Sequence, residues 1–394
     1  MDPHQRSFTP GLELSERFYR EAVAPLLDRY FSGLPHTAAR IGTGSEVLGF
    51  DTERSADHEW GPRLQLLLDD VSADQLAPRI GAMLADELPK TFLGYPTNFG
   101  GGDGDGSVLH MEPMEPDGGP VRHRVDIAGL GGWFTGHLGF DPRSATATVE
   151  RGAAGAGEPE SALVPVFDWL ATPTQSLAEV TRGTVMHDGL GELTKVRARL
   201  AWYPTDVWRY VLASGWQRIS QEEAFVGRTG EVGDELGSAV VAARLVRDLM
   251  RLALLMNRQY PPYGKWLGSA FSRSPEGERL TPVFRAALAA TSWRDREKQL
   301  ASAYEEIAAM QNRLGLCEPV DPTTRPYHDR PFQVLHAERF ANALSSALTT
   351  EELRALPLVG TVDQYVDSVD ALGDVTRRRA ITRAALNGKG GGAG

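Results

Sequence analysis

The chain has 394 residues, 41% of them hydrophobic and 24% charged, the profile of a soluble globular protein long enough for two domains. Its net charge of −11 lacks the basic stripe of a nucleic-acid binder, and its single cysteine, Cys317, excludes an internal disulfide and any multi-cysteine zinc site. The polar start "MDPHQRSFTPG" has no apolar run of a signal peptide, and no stretch is apolar enough to span a membrane, so a cytoplasmic protein is expected.

In chain order, "LELSERFYREAVAPLLDRYF" repeats apolar residues at Leu14, Phe18, Ala22, Leu26 and Tyr30, one face of a helix. "TAARIGTG" reads as a strand feeding a glycine turn. "RLQLLLDDV" and "VRHRVDIAGL" read as strands, the second alternating Val121, His123 and Val125 with Arg122, Arg124 and Asp126. The loop "NFGGGDGDGS" between them is rich in glycine and aspartate, as a flap would be. A composition shift at "ERGAAGAGEPES", residues 150–161, marks a linker.

Beyond it, helical periodicity dominates. "DVWRYVLASGWQRISQEEAFVGR", "DELGSAVVAARLVRDLMRLALLMNRQY", "SWRDREKQLASAYEEIAAMQNRLGL" and "RPFQVLHAERFANALSSAL" read as four helices. The expected fold is α+β. A mixed sheet with helices fills residues 1–150, an all-helical domain spans 160–385, and a disordered tail covers 386–394.

Chemistry concentrates in "GTGSEVLGFDTERSADHEW", residues 42–60. Two acids at i and i+2 on a strand, Asp57 and Glu59, point to one face. They repel unless a cation lies between them, and hard divalent ions such as Mg²⁺ prefer such oxygen ligands. The turn at Gly44 and Ser45 suits the other half of the task, because glycine lets backbone approach phosphate oxygens and serine donates a hydroxyl.

The stretch resembles the signature of the nucleotidyltransferase superfamily that includes DNA polymerase beta and the aminoglycoside nucleotidyltransferases. Gly44 and Ser45 match its turn, Gly49 its spacer glycine, Ser55 its serine, and Asp57 and Glu59 its two acids. Ala56 is an extra residue before the first acid, and the second acid is Glu where Asp is commoner. The resemblance implies a third acid on a neighbouring strand. Asp126 fits, with Asp69 and Asp70 as competitors. The whole chain is also similar to a bacterial family of undetermined function carrying such a domain at its front, through "WQRISQEEAFVGRTGEVGDELGS", "YPPYGKWLGSAF" and "TVDQYVDS".

The resemblance implies transfer of a nucleoside monophosphate, with ATP the favoured NTP, to a hydroxyl of a small-molecule acceptor, with release of pyrophosphate. Asp57, Glu59 and Asp126 would be the catalytic and metal-binding residues, holding one or two Mg²⁺ ions. Gly44 and Ser45 would hold phosphates, with Lys265 and Arg228 offsetting charge from the helical domain. Glu222 and Glu223 are candidate bases there. Two other readings stay open: a transferase acting on a protein or RNA, of toxin–antitoxin type, and an inactive nucleotide-binding module. His187 and His328 beside acids, and Trp133 and Phe134 after Asp126, read as structural. Neither the acceptor nor the oligomeric state is legible.

Overall fold

The computed structural model describes residues 8–57, 59–101, 109–144 and 164–387, except the side chains of Ala56 and Asp57. The expected linker, the expected flap beyond Gly101, and all of the expected tail but its first two residues lie outside the described residues, and Phe99–Gly101 of the flap is a strand. The chain divides into two compact units. One comprises residues 1–163 and 176–201, the other 164–175 and 202–394. The boundary thus differs from a single break near residue 150. The chain re-enters the first unit to supply a strand of its sheet.

The first unit opens with α1 (Gly11–Phe18), a π-helical turn at Tyr19–Val23 and α2 (Ala24–Tyr30). The π turn takes extra residues per turn, so the buried face moves off the 3.6 period. It runs through Leu14, Phe18, Val23 and Leu27, and leaves Tyr30 exposed. Next come β1 (Thr37–Arg40), β2 (Arg63–Leu68) and α3 (Asp70–Glu87). Two short hairpins follow, β3 (Thr91–Phe92) with β4 (Tyr95–Pro96) and β5 (Phe99–Gly101) with β6 (Leu109–Met111). Then come β7 (Arg124–Gly129) and α4 (Leu130–Leu138). The chain then forms α5 (Val166–Ala171), which belongs to the second unit, and α6 (Thr174–Thr181), which leads back into the first unit and its β8 (Thr184–Asp188) and α7 (Leu193–Arg199).

The sheet order is β7-β2-β1-β8. β1 runs antiparallel to both neighbours, and β2 pairs in parallel with β7 through the crossover helix α3. Alternation sorts the faces. Leu64, Leu66 and Leu68 of β2 and Val125 and Ile127 of β7 pack into one core with Leu14, Phe18, Ile80 and Leu84. Arg63 and Gln65 of β2 and Arg124 and Asp126 of β7 therefore share the opposite face.

Asp69 and Asp70 serve the framework. Asp69 caps α3 by accepting the Ser72 N–H at 3.0 Å. Asp70 accepts the Gly131 and Gly132 N–H groups at the start of α4, at 2.9 and 3.1 Å, and pairs with Arg143 at 3.0 Å.

The second unit, among the described residues, is helical apart from one small hairpin. Its helices include α8 (Thr205–Glu222), α9 (Phe225–Glu231), α10 (Glu235–Met256), α11 (Gly264–Ser272), α12 (Gly277–Ala289) and α13 (Trp293–Arg313). The stretch read as one fourth helix divides. Arg330–Val334 is a strand paired with Arg325–Tyr327, and the helix begins only at Glu338. Trp216 stacks on Phe340 in this core, with ring centroids 4.9 Å apart. The buried Asp363 binds Arg251 at 2.6 Å and the hydroxyls of Thr174 and Thr361 at 2.5 and 2.8 Å.

Candidate functional site

The glycine turn leaves β1 at Ile41 and closes with Gly49 N–H on Glu46 O at 3.1 Å and Phe50 N–H on Ser45 O at 2.9 Å. It is a run of hydrogen-bonded turns, not the helix that phosphate-binding loops commonly lead into. Gly42, Gly44 and Gly49 have φ of +78°, +149° and +74°. A Cβ at Gly44 would come within 2.4 to 2.6 Å of Arg40, Arg63 and Glu46, so only glycine fits.

Those three charges lock the turn from beneath. Glu46 Oε1 accepts Arg40 Nε at 2.9 Å and Arg63 Nε and Nη2 at 3.0 and 2.7 Å. Arg40 also donates to the carbonyls of Ile41 and Thr43. All three side chains are buried. Burial lowers the Arg40 guanidinium to about 10. Burial alone would raise the Glu46 carboxyl, but Arg40 and Arg63 outweigh it and hold it below the ordinary value. The sequence reading missed this triad, whose signal was charge inside two buried strand segments, "TAAR" and "RLQLLL".

Gln65 ties the turn to β7. Its Oε1 accepts the Ile41 N–H at 3.0 Å, and its Nε2 reaches Asp126 Oδ2 at 3.5 Å. Asp126 stands opposite Gln65 in the parallel register and is exposed.

Asp57 and Glu59 do not lie on a strand. Asp57 ends a 3-10 turn, Glu53–Asp57, and β2 starts only at Arg63. Strand alternation therefore does not align the two acids. Ser55 closes that turn on Thr52, with its Oγ donating to Thr52 O at 2.8 Å. Glu59 has a left-handed φ of +48°, which costs a residue other than glycine on the order of 1 kcal/mol. Its N–H donates to Leu109 O at 2.9 Å, and its carboxylate accepts Leu109 N–H at 3.3 Å and Arg124 Nη2 at 2.6 Å. Arg63 Nη1 lies 3.6 Å away. Arg124 and Glu59 keep 27% and 34% exposure, so their pairing contributes only about 0.2–1 kcal/mol.

Beside the turn, Trp133 stacks on His137 at 5.0 Å, and His137 Nε2 lies 3.1 Å from Glu179 Oε2. The Glu179 carbonyl accepts the Gly42 N–H at 2.8 Å. Phe134 is fully buried. His187 packs on His36, whose Nε2 meets the Tyr19 hydroxyl at 2.9 Å.

Among the described residues no group of three or more His, Cys, Asp or Glu is assembled to hold a metal ion. The Asp57 side chain lies outside them. The donor set still fits Mg²⁺ in kind, because Glu59 and Asp126 offer carboxylate oxygens at the face that carries the turn.

The remaining candidates belong to the second unit. Lys265 lies in the first turn of α11, exposed, with Nζ 5.0 Å from the Trp266 ring centroid. Tyr260 is buried against Trp202 and Tyr203. Arg228 is exposed over the Phe225 ring. Glu222 pairs with Arg244 at 2.5 Å. Glu223 is buried and accepts the Leu335 and Ala337 N–H groups at 2.7 and 2.9 Å, a structural duty. Burial raises its carboxyl to about 7. His328 occupies the hairpin turn with φ of +57°.

No helix among the described residues is long and apolar enough to cross a membrane. Residues 169–267 match a family model described as a domain of unknown function, DUF4037. The match includes Arg228 and Lys265 and leaves Gly44, Ser45, Asp57, Glu59 and Asp126 outside it. No curated protein and no solved structure matches the chain.

Proposed function

We propose that the first unit is a metal-dependent nucleotidyltransferase that moves a nucleoside monophosphate from an NTP, ATP by preference, to a hydroxyl of a small acceptor. One observation carries the reading most. Gln65 links a glycine-serine turn, pinned by the Arg40–Glu46–Arg63 triad, to an exposed acid on the parallel neighbour strand.

The turn holds the outer phosphates through backbone N–H groups and the Ser45 hydroxyl. Asp57, Glu59 and Asp126 hold one or two Mg²⁺ ions. When bound, these neutralise the triphosphate and stabilise the leaving pyrophosphate. Asp126 takes the proton of the acceptor hydroxyl. Positioning and fixed charge supply most of the rate.

A second reading, a nucleotide-binding module without catalysis, is favoured by the Glu59 pairing with two arginines. The two are separated by incubating the protein with Mg²⁺, α-labelled NTPs and pooled small hydroxyl-bearing acceptors, with pyrophosphate release and label transfer as readouts. Transfer that Asp126→Asn abolishes supports the transferase. Binding without pyrophosphate release supports the module.

A further inference from the structure

Three arginines crowd the end of the sheet beside the glycine turn, and they are not equivalent. Arg40 and Arg63 are buried, and each is fixed by Glu46. Arg63 cannot leave without taking from the buried Glu46 carboxylate one of its two cationic partners. Arg124 differs on three counts. It keeps 27% of its side chain exposed, and its strong contact is the partly exposed Glu59 at 2.6 Å. Among the described residues its buried Nε has no hydrogen-bond partner. It stands two residues before Asp126 on the same strand face and opposite Arg63 in the register.

Glu59 is unusual as well. It adopts a left-handed backbone that only glycine accepts cheaply, and it clasps Leu109 while it faces Arg124. Strain of this kind persists where the surroundings hold it and often marks a working site. A planar guanidinium with spare donors suits a phosphate as well as a carboxylate.

We propose that Arg124 is a triphosphate-binding residue held in reserve by Glu59. When a nucleoside triphosphate binds at the Gly42–Gly49 turn, the guanidinium leaves the Glu59 carboxylate and pairs with a phosphate oxygen. Glu59 is then available as an oxygen ligand. The inference rests on the nucleotidyltransferase reading and adds a residue that its signature does not include. The exchange trades one charge pair for another, and the weakness of a partly exposed pair keeps it reversible.

The test is calorimetric titration of the full chain with ATP, in EDTA and in Mg²⁺, for the parent, Glu59→Gln, Arg124→Gln, Arg124→Lys and the double Gln variant. Circular dichroism melts check folding, and Arg124→Lys stands in if Arg124→Gln does not fold. With Mg²⁺, Arg124→Gln should weaken binding about tenfold or more, the scale of a lost hydrogen bond to a charged group, and Arg124→Lys less. In EDTA, Glu59→Gln should bind ATP several-fold more tightly than the parent, and the double variant should lose that gain. A merely structural ion pair gives no such tightening. Unchanged binding by both Arg124 variants, or no gain in Glu59→Gln, overturns this inference alone. A parent that binds none of ATP, GTP, CTP and UTP overturns the underlying reading and this inference with it.

Discussion

Asp126 stands directly opposite Gln65 in the parallel pairing of β2 and β7, and the Gln65 amide spans from Asp126 Oδ2 to the first N–H of the glycine turn. A neutral side chain therefore sets the spacing between an exposed acid and the glycine turn.

Gln65→Leu fills similar volume and cannot accept the buried Ile41 N–H. An unsatisfied buried donor costs about 1–3 kcal/mol, so urea melts should shift by that amount. ATP affinity should fall further than the melt explains, because the turn loses its register against Asp126. An unshifted melt would mean that water or a rearranged backbone replaces Gln65.

Gly44 and Gly49 separate conformation from crowding. Both have positive φ, but a Cβ at Gly49 meets nothing within 4 Å, whereas one at Gly44 strikes the buried triad. Gly49→Ala should cost about 1 kcal/mol. Gly44→Ala should cost at least about 2 kcal/mol more, from overpacking around charges that cannot move apart. Equal costs in urea melts would show that the triad yields, and that the turn is not pinned from beneath.

Much of this arrangement was legible in the chain. β2 stood out as an apolar run ending in acids, and Asp126 as a charge in an alternating strand. The arginine triad was not, because Arg40, Glu46 and Arg63 become neighbours only when β1, its turn and β2 are brought together. Asp57 and Glu59 carry the right chemistry at a spacing that suggests a strand, yet the backbone enters a 3-10 turn and a left-handed residue instead. Nothing local forbids either conformation. In α1 and α2 the helix was visible, but the π turn that shifts its buried face was not.

Glu223 makes stability depend on pH in the second unit. Its folded-state value, about 7, lies above the ordinary carboxylate value, so the folded protein holds a proton that the unfolded chain has released. Between roughly pH 4.5 and 7 this group lowers stability as pH rises, with a slope of up to about 1.4 kcal/mol per pH unit. Below the ordinary value its contribution is fully present, and above about 7 it is lost. Urea melts of parent and Glu223→Gln across that range check the sign. The parent should lose stability relative to the variant as pH rises. A constant difference would show that the two backbone N–H donors, not burial, govern the carboxyl.

Lys265 is exposed on α11 and touches Trp266 through a cation–π contact, so Lys265→Met should change stability by less than about 0.5 kcal/mol. A larger loss in urea melts would show that the Lys265 side chain does more than pack on Trp266.

The most direct measurement is a crystal structure of the full chain soaked with Mg²⁺ and a non-hydrolysable ATP analogue. The account predicts phosphates over Gly44 and Ser45, metal density bounded by Asp57, Glu59 and Asp126, and Arg124 turned from Glu59 toward a phosphate. A nucleotide bound away from the glycine turn, or a turn left empty with Glu59 still paired to Arg124 at saturating analogue, would contradict it.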